Sequence, residues 1–198
     1  MKISNLPRFN LAEFPTPIQY LDVLTKKYNG PAIYMKRDDL TSLGMGGNKT
    51  RKLEFLIGEA LELRKDTLVT AGGIQSNHCR LTAAAAKKAG LGCHLVLNGT
   101  EPKVPNGNLL LDKIFGAKIH FCDRKDRDEM LFQVANKLAK TDKNPYVIPV
   151  GGSNSIGSVG YVNAMLELSL QLKDLDITPD AIVFATSSGG TQAGLTLG

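Results

Sequence analysis

The chain has 198 residues, of which 42% are hydrophobic and 22% charged, so it can bury the core of one large domain or two small ones. The net charge of +5 is spread among interspersed acids and bases, which does not predict a nucleic-acid partner. Three cysteines without a C-x-x-C pair support neither a disulfide framework nor a zinc cluster. They favour a cytoplasmic location, and no apolar run is long enough to suggest a membrane span.

Short β-rich runs alternate with helix-length segments along the chain. This alternation predicts an α/β fold with open, parallel, twisted sheets and flanking helices. The predicted strands are AIYMKRD (32–38), TLVTAGG (67–73), CHLVLNG (93–99), KIHFC (118–122), YVIPVGG (146–152) and AIVFATSSGG (181–190).

A glycine-rich loop precedes an amphipathic segment at GMGGNKTRKLEFL, residues 44–56. At ~100° per residue, Lys49 falls within about 40° of Leu53 and Ala60, so Lys49 is expected to face inward. Lys52 lies on the flank of the apolar stripe, which includes Leu53, Leu56, Ile57, Ala60 and Leu61, and Arg51 is expected to face solvent.

An inward lysine at the start of a helix should have a lowered pKa, because burial and the helix dipole both disfavour its charge. A neutral amine is the form that reacts with an aldehyde. The alternative is a lysine whose stem packs while its ammonium reaches solvent.

Neither common nucleotide-binding pattern fits this loop. A P-loop aligned on Lys49 and Thr50 requires glycines where the chain has Leu43 and Asn48. The G-x-G-x-x-G pattern laid on Gly44 and Gly46 would require a glycine at the position of Lys49. The backbone amides of the loop could still bind an anion.

Three predicted strands run directly into glycine-rich turns, where parallel sheets usually bind ligands. The turn at 185–194 offers backbone N–H groups and three hydroxyls, of Ser187, Ser188 and Thr191, which predicts either a phosphate cup or an ordinary βα turn. The turn at 150–161 is assigned only to the rim of the same crevice.

The turn at 72–80 places Ser76, Asn77 and His78 at the start of an alanine-rich helix. Ser76 or Asn77 could serve simply as the N-cap, and a single histidine is more often a hydrogen-bonded turn residue than a catalyst. Asp38 and Asp39 are poor joint metal ligands, because adjacent residues on a strand point to opposite faces, and no metal site is expected. Capping or ion pairing suits them better.

The last segment, GGTQAGLTLG, is expected to form a helix of about two turns. Such a short helix would leave the preceding strand partly uncovered. We therefore expect the chain to be the front part of a longer protein.

Four motifs together resemble the pyridoxal-phosphate enzymes of the tryptophan-synthase-β fold type (fold type II). They are KRDDLTSLGMGGNKTRKLE, TAGGIQSNHCR, PYVIPVGGSNSIGSVGY and SSGGTQAGL. They look most similar to the branch that contains D-cysteine desulfhydrase and 1-aminocyclopropane-1-carboxylate (ACC) deaminase. The resemblance covers the chain from about Phe14 onward, in the order of the family.

The resemblance implies pyridoxal 5'-phosphate as the cofactor, bound covalently to Lys49 beside Asn48. It further implies that Asn77 hydrogen-bonds a ring oxygen and that Lys52 helps to hold the phosphate. Ser76, with the turn around Asn77 and His78, would meet the substrate carboxylate or move a proton. The phosphate cup would consist of Ser188, Gly189, Gly190 and Thr191.

The resemblance also implies a lyase or deaminase that acts on a small amino acid, and a homodimer. The QSNH and VIPVGGSNSIG motifs are closer to the desulfhydrase, which converts D-cysteine to pyruvate, sulfide and ammonia, than to ACC deaminase. A non-catalytic anion- or nucleotide-binding module and an inactive fragment remain alternatives. The family's two-domain plan implies a cofactor domain from residues 1–45 and 156–198 and a small α/β domain from 46–155.

Overall fold

The computed structural model of the protein describes residues 3–198. Its strands are β1 (Ile18–Tyr20), β2 (Tyr34–Lys36), β3 (Thr67–Gly73), β4 (Gly92–Asn98), β5 (Lys118–Cys122) and β6 (Pro145–Val147). Its α-helices are α1 (Asp22–Tyr28), α2 (Lys49–Glu62), α3 (Asn77–Ala89), α4 (Gly107–Ile114), α5 (Arg127–Ala139), α6 (Ser155–Asp174) and α7 (Gly190–Leu197). Within this range no helix combines the length and hydropathy needed to cross a membrane.

A four-stranded parallel sheet in the order β5-β4-β3-β6 forms the centre of the fold. Val69 of β3 pairs with His94 of β4 on one side and with Val147 of β6 on the other. The predicted α/β class with a parallel sheet and flanking helices is therefore confirmed.

Two of the six predicted strands differ from the structure. The segment at 32–38 contributes β2, but β2 pairs antiparallel with β1 in a separate two-stranded sheet. The segment at 181–190 is not a strand: residues 181–186 are exposed and have no assigned secondary structure. A strand requires a neighbouring strand for its backbone hydrogen bonds, and no strand among residues 3–198 pairs with this segment.

The core lies on both faces of the parallel sheet. On one face, Leu68 and Leu95 pack with residues of α2 and α3, including Leu53 and Leu81. On the other face, Val69, Ala71 and Val96 pack with residues of α5. Each fully buried aliphatic side chain contributes about 1.5 to 3 kcal/mol to the free energy of unfolding relative to an exposed one. This packing holds the strands in place, and the site is built near their ends.

Helix α2 is buried on more than one side, unlike the one-sided helix that the sequence predicted. Leu53, Leu56, Ile57 and Ala60 are fully buried, as expected, whereas Leu61 is 37% exposed. The prediction that Arg51 faces solvent is wrong, since Arg51 is only 2% exposed. Helix α6 covers this side of α2, and a Cβ on Gly160 would lie 2.2 Å from the backbone oxygen of Arg51.

Asp112 of α4 is fully buried, and neither of its carboxylate oxygens has a hydrogen-bond partner within residues 3–198. Burial raises the pKa of this carboxyl to about 7, although the nearby Arg80 acts in the opposite direction. The folded protein therefore holds the proton of Asp112 more tightly than the unfolded chain, whose aspartates titrate near pH ~3.9. The stability contributed by protonated Asp112 is complete below pH ~4 and falls as the pH rises to about 7.

Asp112→Asn should consequently stabilise the protein at pH 8 by about 2 to 4 kcal/mol, with little effect at pH 4. Urea unfolding at the two pH values measures the difference. Asp174→Asn, at an exposed position of α6, is the matched control and should change neither value. A variant less stable than the parent at pH 8 would contradict the assignment.

Candidate functional site

One cavity, of about 770 Å³, brings together the starts of helices α2 and α7. It is lined by Asn48, the N-cap of α2, and by Lys49, the first residue of that helix. Ser188 and Gly189, in the turn before α7, and Thr191, in the first turn of α7, line it as well. The two motifs are about 140 residues apart in sequence, so only the fold brings them to a common space.

Lys49 is the first residue of α2, and its side chain is partly buried in the wall of this cavity. Its Nζ donates to Oδ1 of Asn48 at 3.3 Å. Burial lowers the pKa of the Lys49 ammonium below its usual value. The partly buried position agrees with the predicted inward face, and burial accounts for the lowered pKa; both favour the neutral, nucleophilic amine.

Lys52, one turn further along α2, is 1% exposed and reaches the glycine-rich turn after β6. Its Nζ donates to Oγ of Ser153 at 3.1 Å and to the backbone oxygen of Gly151 at 3.3 Å. Burial, together with the positive charge of Lys49, lowers the pKa of Lys52 to about 8. No carboxylate contacts this ammonium within residues 3–198, so a bound anion would find an uncompensated positive charge.

A row of polar groups connects Lys52 to the start of α7. Oγ of Ser153 lies 2.6 Å from Oγ of Ser188, which precedes Gly189 and Gly190. The first N–H groups of a helix lack intrahelical acceptors and carry the positive end of its dipole. A phosphate monoester could accept hydrogen bonds from all of these groups, namely the Lys52 ammonium, the two hydroxyls and the helix N–H groups.

Gly190 allows Ser153 and Lys52 to lie close to the start of α7. A Cβ on Gly190 would lie 2.6 Å from Oγ of Ser153 and 2.9 Å from Nζ of Lys52. These two polar groups and the N–H groups of α7 form a cradle, and any side chain at position 190 would have to displace the polar groups. This geometry fits the phosphate of pyridoxal phosphate, and Ser188, Gly189 and Thr191 line the same cavity as Lys49.

Gly190→Ala should weaken pyridoxal-phosphate binding at least about tenfold, because the methyl group would push Lys52 and Ser153 out of the positions from which they would hold the phosphate. Equilibrium titration of the cofactor, followed by absorbance, measures the affinity. Gly73→Ala is the matched control, since a Cβ there meets no atom within 4 Å. Equal affinities of the two variants would place the phosphate elsewhere.

Ser76, Asn77 and His78 lie where β3 leads into α3, but their side chains differ in exposure. Ser76 is the N-cap of α3, and its Oγ accepts from the backbone N–H of Cys79 at 3.3 Å. Asn77 is exposed, and its Oδ1 accepts from Nδ2 of Asn108 at 2.9 Å. The alternative that Ser76 is the N-cap is therefore confirmed. Its hydroxyl lies at the start of α3.

His78 is 4% exposed, so its imidazole is held inside the protein and does not face the open cavity. Its Nε2 lies 2.8 Å from Oγ1 of Thr70, which itself donates to the backbone oxygen of Ile148. Nε2 must therefore donate to Thr70, which makes Nδ1 the unprotonated nitrogen. Burial, followed by the charges of Lys49 and Lys52, lowers the pKa of His78 to about 3, so the ring is neutral.

Two residues of the site were not found from the sequence. Ser153 joins Lys52 to Ser188, although its turn was assigned only to the rim. Tyr161 of α6 lines the cavity, and its hydroxyl donates to Oδ2 of Asp38 at 2.8 Å. Both residues lie within the glycine-rich stretch 150–161, and this was the sequence signal that could have placed them in the site.

The paired aspartates form ion pairs, as the sequence analysis favoured. They lie on a 3-10 turn, Asp38–Leu40, and not on a strand. Asp38 pairs with the buried Arg51 at 2.8 Å, and Asp39 pairs with Arg37 at 2.7 Å. Within residues 3–198, no group of three or more histidine, cysteine or acidic side chains is placed to hold a metal ion.

Comparison with known proteins finds relatives of this chain. A putative ACC deaminase of Pyrococcus abyssi is 46% identical over 199 residues, which cover 99% of this chain and 59% of that relative. A D-cysteine desulfhydrase of Salmonella paratyphi B is 46% identical over 202 residues, which cover 99% of this chain and 61% of that relative. The chain thus spans about three fifths of the length of these relatives.

Solved structures match as well. The crystal structure of an ACC deaminase homologue is 43% identical, with a TM-score of 0.87 over 98% of this chain and 58% of that chain. A fungal L-serine ammonia-lyase from Rhizomucor miehei, at 17% identity and a TM-score of 0.74, has the same fold over 92% of this chain and 54% of its own.

The family described as "Pyridoxal-phosphate dependent enzyme" matches residues 9–198, which include every residue of the Lys49 cavity and of the phosphate cradle. The chain belongs to this family of pyridoxal-phosphate-dependent enzymes.

Proposed function

We propose that the whole protein is a pyridoxal-phosphate-dependent lyase that converts D-cysteine to pyruvate, sulfide and ammonia. The observation that carries this proposal is the shared cavity of Lys49 and the Ser188–Thr191 turn. The choice of D-cysteine rests on the QSNH and VIPVGGSNSIG motifs. ACC deamination to 2-oxobutyrate and ammonia is the alternative, since relatives bearing either name are equally similar to the chain.

The residues of the cavity divide between holding the cofactor and acting on the substrate. Lys52, the Ser188 hydroxyl and the N–H groups of Gly189, Gly190 and Thr191 would hold the phosphate. Pyridoxal phosphate, when bound, supplies an electron sink for the electron pair released at the substrate Cα. Asn77 would donate to a ring oxygen, and Asn48 would orient the Lys49 amine, to which it is already hydrogen-bonded.

Lys49 would move the proton of the reaction. When it is not bonded to the cofactor, Nζ of Lys49 would accept the proton from Cα of the substrate as a general base. Its lowered pKa increases the fraction of neutral amine available for this step near neutral pH. Ser76, on the turn around Asn77 and His78, would meet the substrate carboxylate or relay a proton. The neutral, buried His78 ring would support this turn from beneath.

We also propose the two-domain division into 1–45 with 156–198, and 46–155. The parallel sheet lies wholly within 46–155, which supports the division. A cytoplasmic homodimer is part of the same proposal. The three cysteines are free thiols in the described chain, which agrees with a reducing compartment.

Substrate assays on the full gene product test the function. With D-cysteine we expect pyruvate and sulfide in equal amounts, and a kcat/KM at least about tenfold above that for ACC. Release of 2-oxobutyrate from ACC with the higher kcat/KM would instead support the alternative. Failure of the cofactor-loaded protein to act on either compound would overturn the lyase proposal.

A further inference from the structure

A chain of hydrogen bonds runs from the interior of the small α/β region to Asn77, and none of its other members belongs to the site described above. It starts at Arg80, one turn into α3, whose side chain is buried. Nη2 of Arg80 donates to the backbone oxygen of Gly46 at 2.6 Å, three residues before Lys49. The same guanidinium thus holds the loop that leads into α2.

The loop itself has little freedom at that point. Gly46 has a φ of +71°, and a Cβ there would lie 1.9 Å from the backbone oxygen of Asp39. The Gly46 carbonyl is therefore a fixed acceptor, and Arg80 is fixed by donating to it. A guanidinium is a donor only, so a side chain that meets the other Nη of Arg80 must present an acceptor, while the buried Nε has no partner within residues 3–198.

Asn108, the second residue of α4, presents that acceptor. Its Oδ1 accepts from Nη1 of Arg80 at 3.1 Å, which determines which way its amide faces. Its Nδ2 then donates to the backbone oxygen of Gln75 at 2.8 Å and to Oδ1 of Asn77 at 2.9 Å. Both N–H groups of the Asn108 amide are used, and its backbone N–H donates to Oε1 of Gln75 at 2.8 Å.

The orientation of Asn77 follows from that of Asn108. Since Asn108 donates to Oδ1 of Asn77, the two N–H groups of Asn77 point elsewhere, and they have no other partner within residues 3–198. Asn77 is exposed, so without Asn108 its amide could turn over at little cost. An amide held in this orientation offers a donor, which is what an electron-rich ring oxygen requires.

We propose that Arg80 and Asn108 are positioning residues that fix the Asn77 amide as a hydrogen-bond donor to the ring oxygen of the cofactor. The same relay couples this orientation to the loop before Lys49 through the Gly46 carbonyl. The inference rests on the proposed function. Arg80 and Asn108 would act through Asn77 and need not contact the cofactor or the substrate themselves.

The main test is Asn108→Asp, which keeps an acceptor for Arg80 but loses both donors. An N–H donor stabilises negative charge on the ring oxygen, so its loss should raise the pH midpoint of the visible cofactor band by about one unit. The dissociation constant of pyridoxal phosphate should rise about tenfold. Arg80→Lys should shift the midpoint in the same direction, because an ammonium cannot serve both acceptors with the geometry of the guanidinium fork.

Two comparisons separate positioning from a general structural effect. Asn106→Ala removes a contact with Gln75 but none with Asn77 or Arg80, so it should leave the midpoint unchanged. In an Asn77→Ala background, Asn108→Asp should no longer shift the midpoint, because the residue through which it acts is absent. If Asn108→Asp does not fold, Arg80→Lys with the same Asn77→Ala cycle makes the same test.

The outcomes distinguish this inference from the proposed function. A normal visible band with an unchanged midpoint in Asn108→Asp would overturn the relay and leave the lyase proposal intact. An equal shift with and without Asn77 would also overturn the relay. Absence of any cofactor band in the parent protein would overturn the proposed function and, with it, the role of Asn77.

Discussion

Lys49→Arg is expected to lower kcat at least about 10³-fold in the full gene product. The arginine keeps a positive charge at the start of α2, but it is not deprotonated in proteins and so supplies neither a nucleophilic amine nor a general base. Pyridoxal phosphate should still bind through the cradle at Gly190, without its covalent bond to residue 49. Steady-state kinetics and the visible spectrum of the loaded variant measure both effects.

Lys65→Arg is the matched control for this variant. Lys65 is partly exposed, and its Nζ donates to Oδ1 of Asn144 outside the cavity, so arginine should leave both kcat and the visible band unchanged. Retention of more than about a tenth of the parent activity by Lys49→Arg would be incompatible with the role assigned to the amine.

Arg51→Leu is expected to destabilise the protein by about 3 to 5 kcal/mol. Arg51 donates to Asp38 and to Glu167, and its guanidinium lies 4.4 Å from the centre of the Phe14 ring. Leucine leaves both mostly buried carboxylates without this cation, although Lys36 still contacts Glu167. Because Asp38 also accepts from Tyr161, the loss should propagate to the wall of the cavity.

The effect of Arg51→Leu should shrink at acid pH. Burial alone would raise the pKa of Glu167, but hydrogen bonds from Arg51 and Lys36 outweigh it and lower the pKa. The stability from ionised Glu167 is therefore present above the unfolded pKa of about 4.3 and lost as the pH falls through the lower folded value. Urea unfolding at pH 7 and in this acid range measures the dependence.

Arg37→Leu supplies the control in the same part of the chain. Arg37 pairs with the exposed Asp39, and such surface pairs contribute about 0 to 1 kcal/mol. A difference of less than about 1 kcal/mol between the two variants at pH 7 would contradict the structural role of Arg51.

The parallel sheet could be predicted because its strands are short apolar runs followed by helices, a pattern that depends on local sequence. The strand expected at 181–190 does not form, since a strand also depends on neighbouring strands, which local sequence does not show. Arg51 was misplaced for a related reason. The helical wheel assumes that a helix is buried on one face, whereas α6 covers a second face of α2 through the close approach at Gly160.

The site was predictable to the extent that its motifs are local. Lys49 begins its own helix, and the proposed phosphate turn is contiguous at Ser188–Thr191, so both motifs could be located from local sequence. Contacts between distant segments gave no such signal. The hydrogen bond of Ser153 to Lys52 spans 101 residues and that of Asn108 to Asn77 spans 31, and both follow only from the packing of helices around the sheet.

The central claim is that the amine of Lys49 captures the aldehyde of a cofactor whose phosphate lies at the start of α7. Borohydride reduction of the full gene product loaded with pyridoxal phosphate, followed by peptide mapping, tests it most directly. We predict one labelled peptide, with the pyridoxyl group on Lys49 and a lower yield in Gly190→Ala. Labelling of another lysine, with Lys49 unmodified, would contradict the account.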